Sequence, residues 1–155
     1  MAAPSGNLKI RRAANTETSV AYRIVREYYS AACVVAQETR AEFVREYFAP
    51  GCGVWLAWMD GQVAGCLALR RMGHPANCVE IKRMYVREKW RGLGIAQKLL
   101  EGTERFARES GYQRIYLDTT DEMKAAARLY ERNGYERCER YNENPQATIF
   151  MRKNL

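Results

Sequence analysis

The run Arg91-Gly92-Leu93-Gly94-Ile95-Ala96 lies between an apolar, strand-like segment, Val79 to Val86, and a segment of helical spacing that it opens. A chain that passes from strand to helix through two glycines and a small residue is tightly constrained. Glycine accepts positive φ and lets the backbone come close to a ligand. The first N–H groups of a helix lack intrahelical acceptors and carry the positive end of its dipole. With Arg91 beside them, these groups favour an anion such as a phosphate or pyrophosphate. An ordinary strand-to-helix turn is the competing reading. Two other glycine loops are excluded. No Gly-x-x-x-x-Gly-Lys-Ser/Thr occurs, and Gln97 stands where a dinucleotide-binding turn needs its third glycine.

The flanking sequence supplies alternating strand and helix signals. Leu8 to Arg12 reads as a strand. Thr16 to Ala32 has helical spacing, with Val20, Ile24, Val25 and Tyr28 as its apolar stripe, and Glu38 to Tyr47 reads as a second helix. Gly53 to Met59 and Gln62 to Met72 read as strands joined by a hairpin turn at Asp60-Gly61. After the loop Gly73 to Asn77 comes the strand Val79 to Val86. The helix after the glycine turn runs to about Glu109, with Ile95, Leu99, Leu100, Thr103 and Phe106 on one face and Gly111 as its stop. Arg114 to Asp118 is a strand and Asp121 to Arg132 a helix, with Ala125, Ala126, Leu129 and Tyr130 as its stripe. Tyr135 to Tyr141 and Ala147 to Arg152 are the last two strands. This order predicts a single α/β domain built on a mixed sheet flanked by helices.

Bulk properties narrow the class. At 155 residues, 47% hydrophobic and 28% charged, the chain has the size and composition of one globular domain. Met1 to Asn7 reads as a flexible tail, leaving 8–155 as the domain. Nothing resembles a secretory signal or a membrane span, so a cytoplasmic protein is expected. Cys33, Cys52, Cys66, Cys78 and Cys138 are scattered, and His74 is the one histidine. No metal site is expected from that spacing, and most of the thiols read as buried small hydrophobes. The net charge of +7 favours anionic partners, and Lys82, Arg83, Arg87, Lys89 and Arg91 lead directly into the glycine turn. No zinc-finger spacing or paired-helix reading module suggests nucleic acid.

Three segments together closely resemble the GNAT family of N-acetyltransferases: Glu80-Ile-Lys-Arg-Met-Tyr-Val86, Arg91-Gly-Leu-Gly-Ile-Ala96 and Leu129-Tyr-Glu-Arg-Asn-Gly-Tyr135. The resemblance runs from Leu8 to Arg152 and includes the order of elements. It implies a GNAT-like acyl-CoA N-acyltransferase domain with acetyl-CoA as acyl donor. Arg91, Gly92, Leu93, Gly94, Ile95 and Ala96 would then cradle the CoA pyrophosphate. The backbone of Met84, Tyr85 and Val86 would run along the pantetheine arm, and an N–H near Val86 would polarise the thioester carbonyl. Chemistry supports such a donor independently, since negative charge develops on that oxygen as an amine attacks.

The resemblance also implies roles for side chains. Tyr130 matches a tyrosine placed near the cofactor sulfur, where it would protonate the departing thiolate; its bland reading is the end of a packing stripe. Glu80 matches a strand glutamate used as general base by some relatives, although Lys82 and Arg83 beside it suit a simple ion pair. Asp118 is a weaker candidate for the same task. Met123 stands where many members carry an asparagine that contacts the pantetheine arm, so that contact is expected to be absent or supplied elsewhere. Leu117-Asp118-Thr119 and Tyr141-Asn142-Glu143-Asn144-Pro145 are similar to segments of a bacterial-type subgroup. Tyr28, Tyr29 and Tyr47 fall on the helices that border the acceptor side of this fold, and Arg83 suits an acceptor carboxylate.

The expected reaction is direct transfer to a primary amine of a small metabolite or amino-acid-like molecule. Two alternatives stand beside it: a protein or peptide amine, and a noncatalytic acyl-CoA-binding module. A closed acceptor pocket would favour the small acceptor, and a broad open cleft the peptide. A homodimer would be ordinary for such a domain; neither nucleic acid nor membrane is expected as a partner.

Overall fold

A computed structural model of the chain describes residues 6–155. The tail expected over 1–7 lies outside these residues up to residue 5. The order of elements is β1 (Leu8–Arg12), α1 (Thr18–Ala31), α2 (Arg40–Tyr47), β2 (Gly53–Met59), β3 (Gln62–Arg71), β4 (Cys78–Val86), α3 (Ile95–Glu109), β5 (Arg114–Thr119), α4 (Lys124–Arg132), β6 (Glu136–Arg137) and β7 (Ile149–Asn154). The seven strands form one sheet in the order β1-β2-β3-β4-β5-β7-β6. Every pairing is antiparallel except β4 with β5, which are joined through α3 as a parallel pair must be joined through a crossover. The architecture is the expected α/β domain with a mixed sheet flanked by helices.

Both faces of the sheet are covered, which explains why β2 and β3 read as nearly continuous apolar runs. Trp55, Ala57, Leu67 and Leu69 point toward α3 and α4, where they meet Ile95, Leu99, Leu100 and Leu129. Val54, Leu56, Cys66 and Ala68 point the other way, onto Ala21, Ile24, Val25 and Tyr29 of α1 and Phe43 and Tyr47 of α2. The stripe of α1 is therefore centred on Ala21, Ile24, Val25 and Tyr29, with Val20 and Tyr28 at its margin. Ala107 takes the buried position in α3 expected for Phe106, whose ring packs edge-on against Trp55 at 5.0 Å.

Three of the element boundaries that differ from the sequence reading have a clear local reason. Helix α2 starts at Arg40 because Thr39 caps it: the Thr39 hydroxyl accepts from the Glu42 N–H, and the Glu42 carboxylate accepts from the Thr39 N–H. Helix α4 starts at Lys124 because the Asp121 N–H is taken by the Thr148 hydroxyl and the Met123 N–H closes a turn onto Thr120. The strand expected over Tyr135 to Tyr141 is only Glu136–Arg137. Beyond it the chain bonds to itself: Arg140 donates to the carbonyls of Asn142, Asn144 and Ala147, and the Asn142 and Asn144 side chains accept from the N–H groups two residues on.

Candidate active site

A cleft opens where β4 and β5 part. The two strands share register only from Cys78 opposite Arg114 to Ile81 opposite Leu117. Past that point β4 stays with β3, whereas β5 continues beside β7. The edge of β4 that faces β5 is thus without a partner strand from Lys82 to Val86. Met84, Tyr85 and Val86, expected to line a pantetheine arm, lie on this free edge.

The glycine turn closes one end of the cleft. Gly92 and Gly94 have φ of 77° and 80°, and α3 begins at Ile95 with Gly94 as an N-cap that supplies no side chain. A Cβ built on either glycine meets no protein atom within 4 Å, so backbone conformation rather than packing selects glycine here and the space outside is open. Among the described residues no protein acceptor receives the N–H groups of residues 92 to 97; the first bonded amide is Lys98, which donates to Gly94. Arg91 folds back so that its Nε donates to the Val86 carbonyl at 2.8 Å, and its guanidinium lies 5.8 Å from the Tyr85 ring. A full charge and several unspent donors therefore surround an open turn, which suits the pyrophosphate of an acyl-CoA.

A bulge shapes the middle of β4. Lys82 pairs with Ala68 and Tyr85 with Cys66, leaving Arg83 and Met84 opposite Leu67. Arg83 takes φ of 58°, and its carbonyl accepts from the Cys66 thiol at 3.2 Å. The bulge lets Lys82 and Arg83 both reach groups on the α1–α2 side of the sheet or at its splayed end. Met84 reaches toward α4, where the Tyr130 hydroxyl donates to its Sδ at 3.5 Å. Tyr130 is buried and its ring packs edge-on against Tyr135. Burial, reinforced by the neighbouring Tyr28 and Asp118, pushes its phenol above the usual value, so it keeps its proton at neutral pH.

Glu80 and Asp118 lie in one buried network. Glu80 Oε1 accepts from Arg70 Nε at 2.8 Å; its Oε2 accepts from the Tyr141 hydroxyl at 2.5 Å and from Asn142 Nδ2 at 3.1 Å. Lys82 Nζ sits between the two carboxylates, 3.4 Å from Glu80 and 2.9 Å from Asp118. Asp118 also accepts from Asn142 at 2.6 Å and Asn144 at 3.3 Å. Burial works against its ionisation, but the Lys82 charge and these hydrogen bonds prevail and hold its carboxyl below the usual range. Of the two neighbours expected to pair with Glu80, Lys82 does so. Arg83 instead donates to Glu38 Oε1 at 2.5 Å, and Arg70 takes the second place on Glu80 while also meeting Glu46.

The sequence reading offered Glu80, Tyr130 and Asp118 as site residues beside the glycine turn. Tyr130 meets Met84 at the free edge of β4, whereas Glu80 and Asp118 are tied into the buried network, Glu80 within the stretch where β4 and β5 are still paired. The sequence reading gave no role to Arg70, Glu38 or Glu46, nor to the side chains of Tyr141, Asn142 and Asn144. Only the Asn-x-Asn-Pro pattern hinted that this loop folds on its own side chains. Met123 offers no polar group and sits at the N-cap of α4. The α1–α2 and β6–β7 loops are clasped together: Gln146 accepts from the Val35 N–H at 3.1 Å and donates to the Cys33 carbonyl at 3.0 Å. No helix among the described residues is long and apolar enough to cross a membrane.

Comparison with known proteins agrees with this geometry. The profile of the Acetyltransferase (GNAT) family matches residues 19–135. An uncharacterised N-acetyltransferase of Schizosaccharomyces pombe is 35% identical over 111 residues, covering 70% of this chain and 68% of the relative. The N-acetylaspartate synthetase of Xenopus tropicalis is 35% identical over 118 residues, 72% of this chain but only 43% of that protein. Among solved structures, a GNAT-family acetyltransferase from Staphylococcus aureus Mu50 superposes with a TM-score of 0.80 at 20% identity, over 96% of this chain and 99% of the other.

Proposed function

The chain belongs to the GNAT family of acetyltransferases, and on that premise we propose that it transfers an acetyl group from acetyl-CoA to the primary amine of a small, amino-acid-like molecule. The observation that carries this reading is the splay of β4 from β5, which leaves a free strand edge leading to an uncapped glycine turn. In this reading residues 91 to 96 bind the pyrophosphate, and the free edge at Met84, Tyr85 and Val86 aligns the pantetheine arm. An N–H near Val86 stabilises the charge that develops on the thioester oxygen as the amine attacks.

Acetyl-CoA supplies an activated acetyl group, and the protein manages two protons. Tyr130, neutral and beside Met84, donates to the leaving thiolate. Glu80 receives the proton that the amine loses. Both of its oxygens already carry donors, so the proton arrives by way of the Tyr141 hydroxyl, which accepts from the amine and gives its own proton to Glu80 Oε2. The donors on Glu80 otherwise hold it in place.

Two facts favour a small acceptor over a peptide. The Gln146 clasp ties the α1–α2 loop to the β6–β7 loop, on the side where this reading sets the acceptor. Among relatives of similar identity are N-acetylaspartate synthetases, whose name specifies a small amine acceptor. The test is transfer of radiolabelled acetyl groups to a panel of amino acids, small amines and lysine peptides. Turnover of small amines with little labelling of peptides is expected. Peptide labelling alone would move the assignment to a protein acetyltransferase, and saturable acetyl-CoA binding with no turnover on any amine to a binding module.

A further inference from the structure

Arg83 is more elaborately held than the transfer chemistry requires. It is a non-glycine residue at positive φ in the β4 bulge, a strained conformation that persists only where its surroundings demand it. The bulge delivers its guanidinium to the space between the sheet, α1 and α2, 5.3 Å from the Tyr29 ring. There, Arg83 Nη2 and the Tyr29 hydroxyl each donate to one oxygen of Glu38. Two further donors in this space are unspent: Arg83 Nε and the hydroxyl of the fully buried Tyr47 have no hydrogen-bond partner. Orphaned donors of this kind are expensive and call for an explanation.

Glu38 is an unusual occupant for such a pocket. It comes from the loop between α1 and α2 and not from either helix, and it takes up one N–H of the Arg83 fork where a guanidinium can offer a carboxylate two. Tyr22 holds its backbone by donating to the Glu38 carbonyl at 2.9 Å. A buried guanidinium left without an anion is strongly disfavoured, so the pocket must stay filled. An incoming carboxylate satisfies that need as well as Glu38 does, and exchanging one for the other leaves the charge at Arg83 unchanged while Glu38 regains water.

The pocket adjoins the reacting centre. Arg83 directly precedes Met84, which meets Tyr130, and Tyr28 stands within electrostatic reach of both Arg83 and Tyr130. Resting on the amine-acetyltransfer reading above, we infer that Arg83, Tyr29 and Tyr47 form the receptor for a carboxylate on the acceptor, and that Glu38 fills this receptor until the acceptor displaces it. The substrate class is therefore a carboxylate-bearing primary amine.

The test compares amino acids with their carboxamides as acceptors, in wild type, Arg83→Gln and Glu38→Gln, with acetyl-CoA titration and thermal melting confirming that each variant is folded. Wild type should favour the acid over its amide by about 10- to 100-fold in kcat/KM, the range of a charge-assisted paired hydrogen bond. Arg83→Gln should collapse that ratio toward unity through KM. Glu38→Gln should lower KM for the acid, because a neutral side chain competes less well for Arg83; a merely structural Glu38 would give the opposite change. Equal use of acid and amide by wild type, or a raised KM in Glu38→Gln, would overturn the carboxylate receptor alone. Failure to acetylate any amine despite acetyl-CoA binding would overturn the small-amine reading and this inference with it.

Discussion

The Tyr130 hydroxyl donates to Met84 Sδ across the gap where β4 leaves β5, at 3.5 Å. A thioether is a weak acceptor, so this bond is readily given up to a better one. It brings a protonated phenol from α4 to the free edge of β4, where the thioester sulfur is proposed to lie.

Replacing Tyr130 with Phe should keep the ring packing against Tyr135 and remove only the proton donor. In steady-state kinetics kcat should fall about 10²- to 10³-fold, within the usual range for a positioned general acid. The acetyl-CoA dissociation constant should stay close to wild type. An equal loss in binding and turnover would instead mark Tyr130 as a packing residue.

Alkaline pH should destabilise the fold. Burial raises the phenols of Tyr47, Tyr130, Tyr135 and Tyr141 above their ordinary values and pushes the Cys66 thiol up to about 12. In the unfolded chain a thiol titrates at about 8.5 and a phenol at about 10, so above those values the unfolded state holds fewer protons than the native one. The stability associated with these groups is complete below about pH 8.5 and is lost progressively as pH rises beyond it. Melting temperatures recorded from pH 7 to 11 should fall steadily over the upper half of that range.

Tyr47→Phe separates stability from function. Its hydroxyl is buried and unpaired, and removing an unsatisfied polar atom should stabilise the fold by about 1 kcal/mol or more. If Tyr47 serves an acceptor carboxylate, the same change should raise KM for carboxylate-bearing amines. Calorimetric melting and acceptor kinetics on one preparation read both effects.

The sheet was legible because its strands are written in residue types that serve little else. Gly53 to Met59 and Gln62 to Met72 are apolar runs around Asp60-Gly61, and the structure pairs them directly as β2 and β3. The glycine turn was legible for a similar reason, since positive φ at Gly92 and Gly94 restricts the residue type. The segment after Arg137, expected to continue the strand to Tyr141, does not, because the side chains of Arg140, Asn142 and Asn144 satisfy the backbone in its place. Of the network around Glu80 only the nearby Lys82 was legible. The partners Arg70 and Tyr141 lie 10 and 61 positions away, and nothing local distinguishes a carboxylate that will be buried from one that will be solvated. Arg83 and Glu38, 45 positions apart, meet only because a bulge turns one strand residue toward a loop.

The most direct test is calorimetric titration of the purified protein with acetyl-CoA, beside the Gly94→Asp variant. Aspartate at this left-handed position adds about 1–2 kcal/mol of backbone strain and sets a negative charge at the proposed pyrophosphate cradle. Saturable one-site binding by wild type, lost in a variant that still melts cooperatively, is the expected result. No binding by folded wild-type protein, or equal binding by the variant, would contradict an acetyl-CoA site at the β4–β5 cleft.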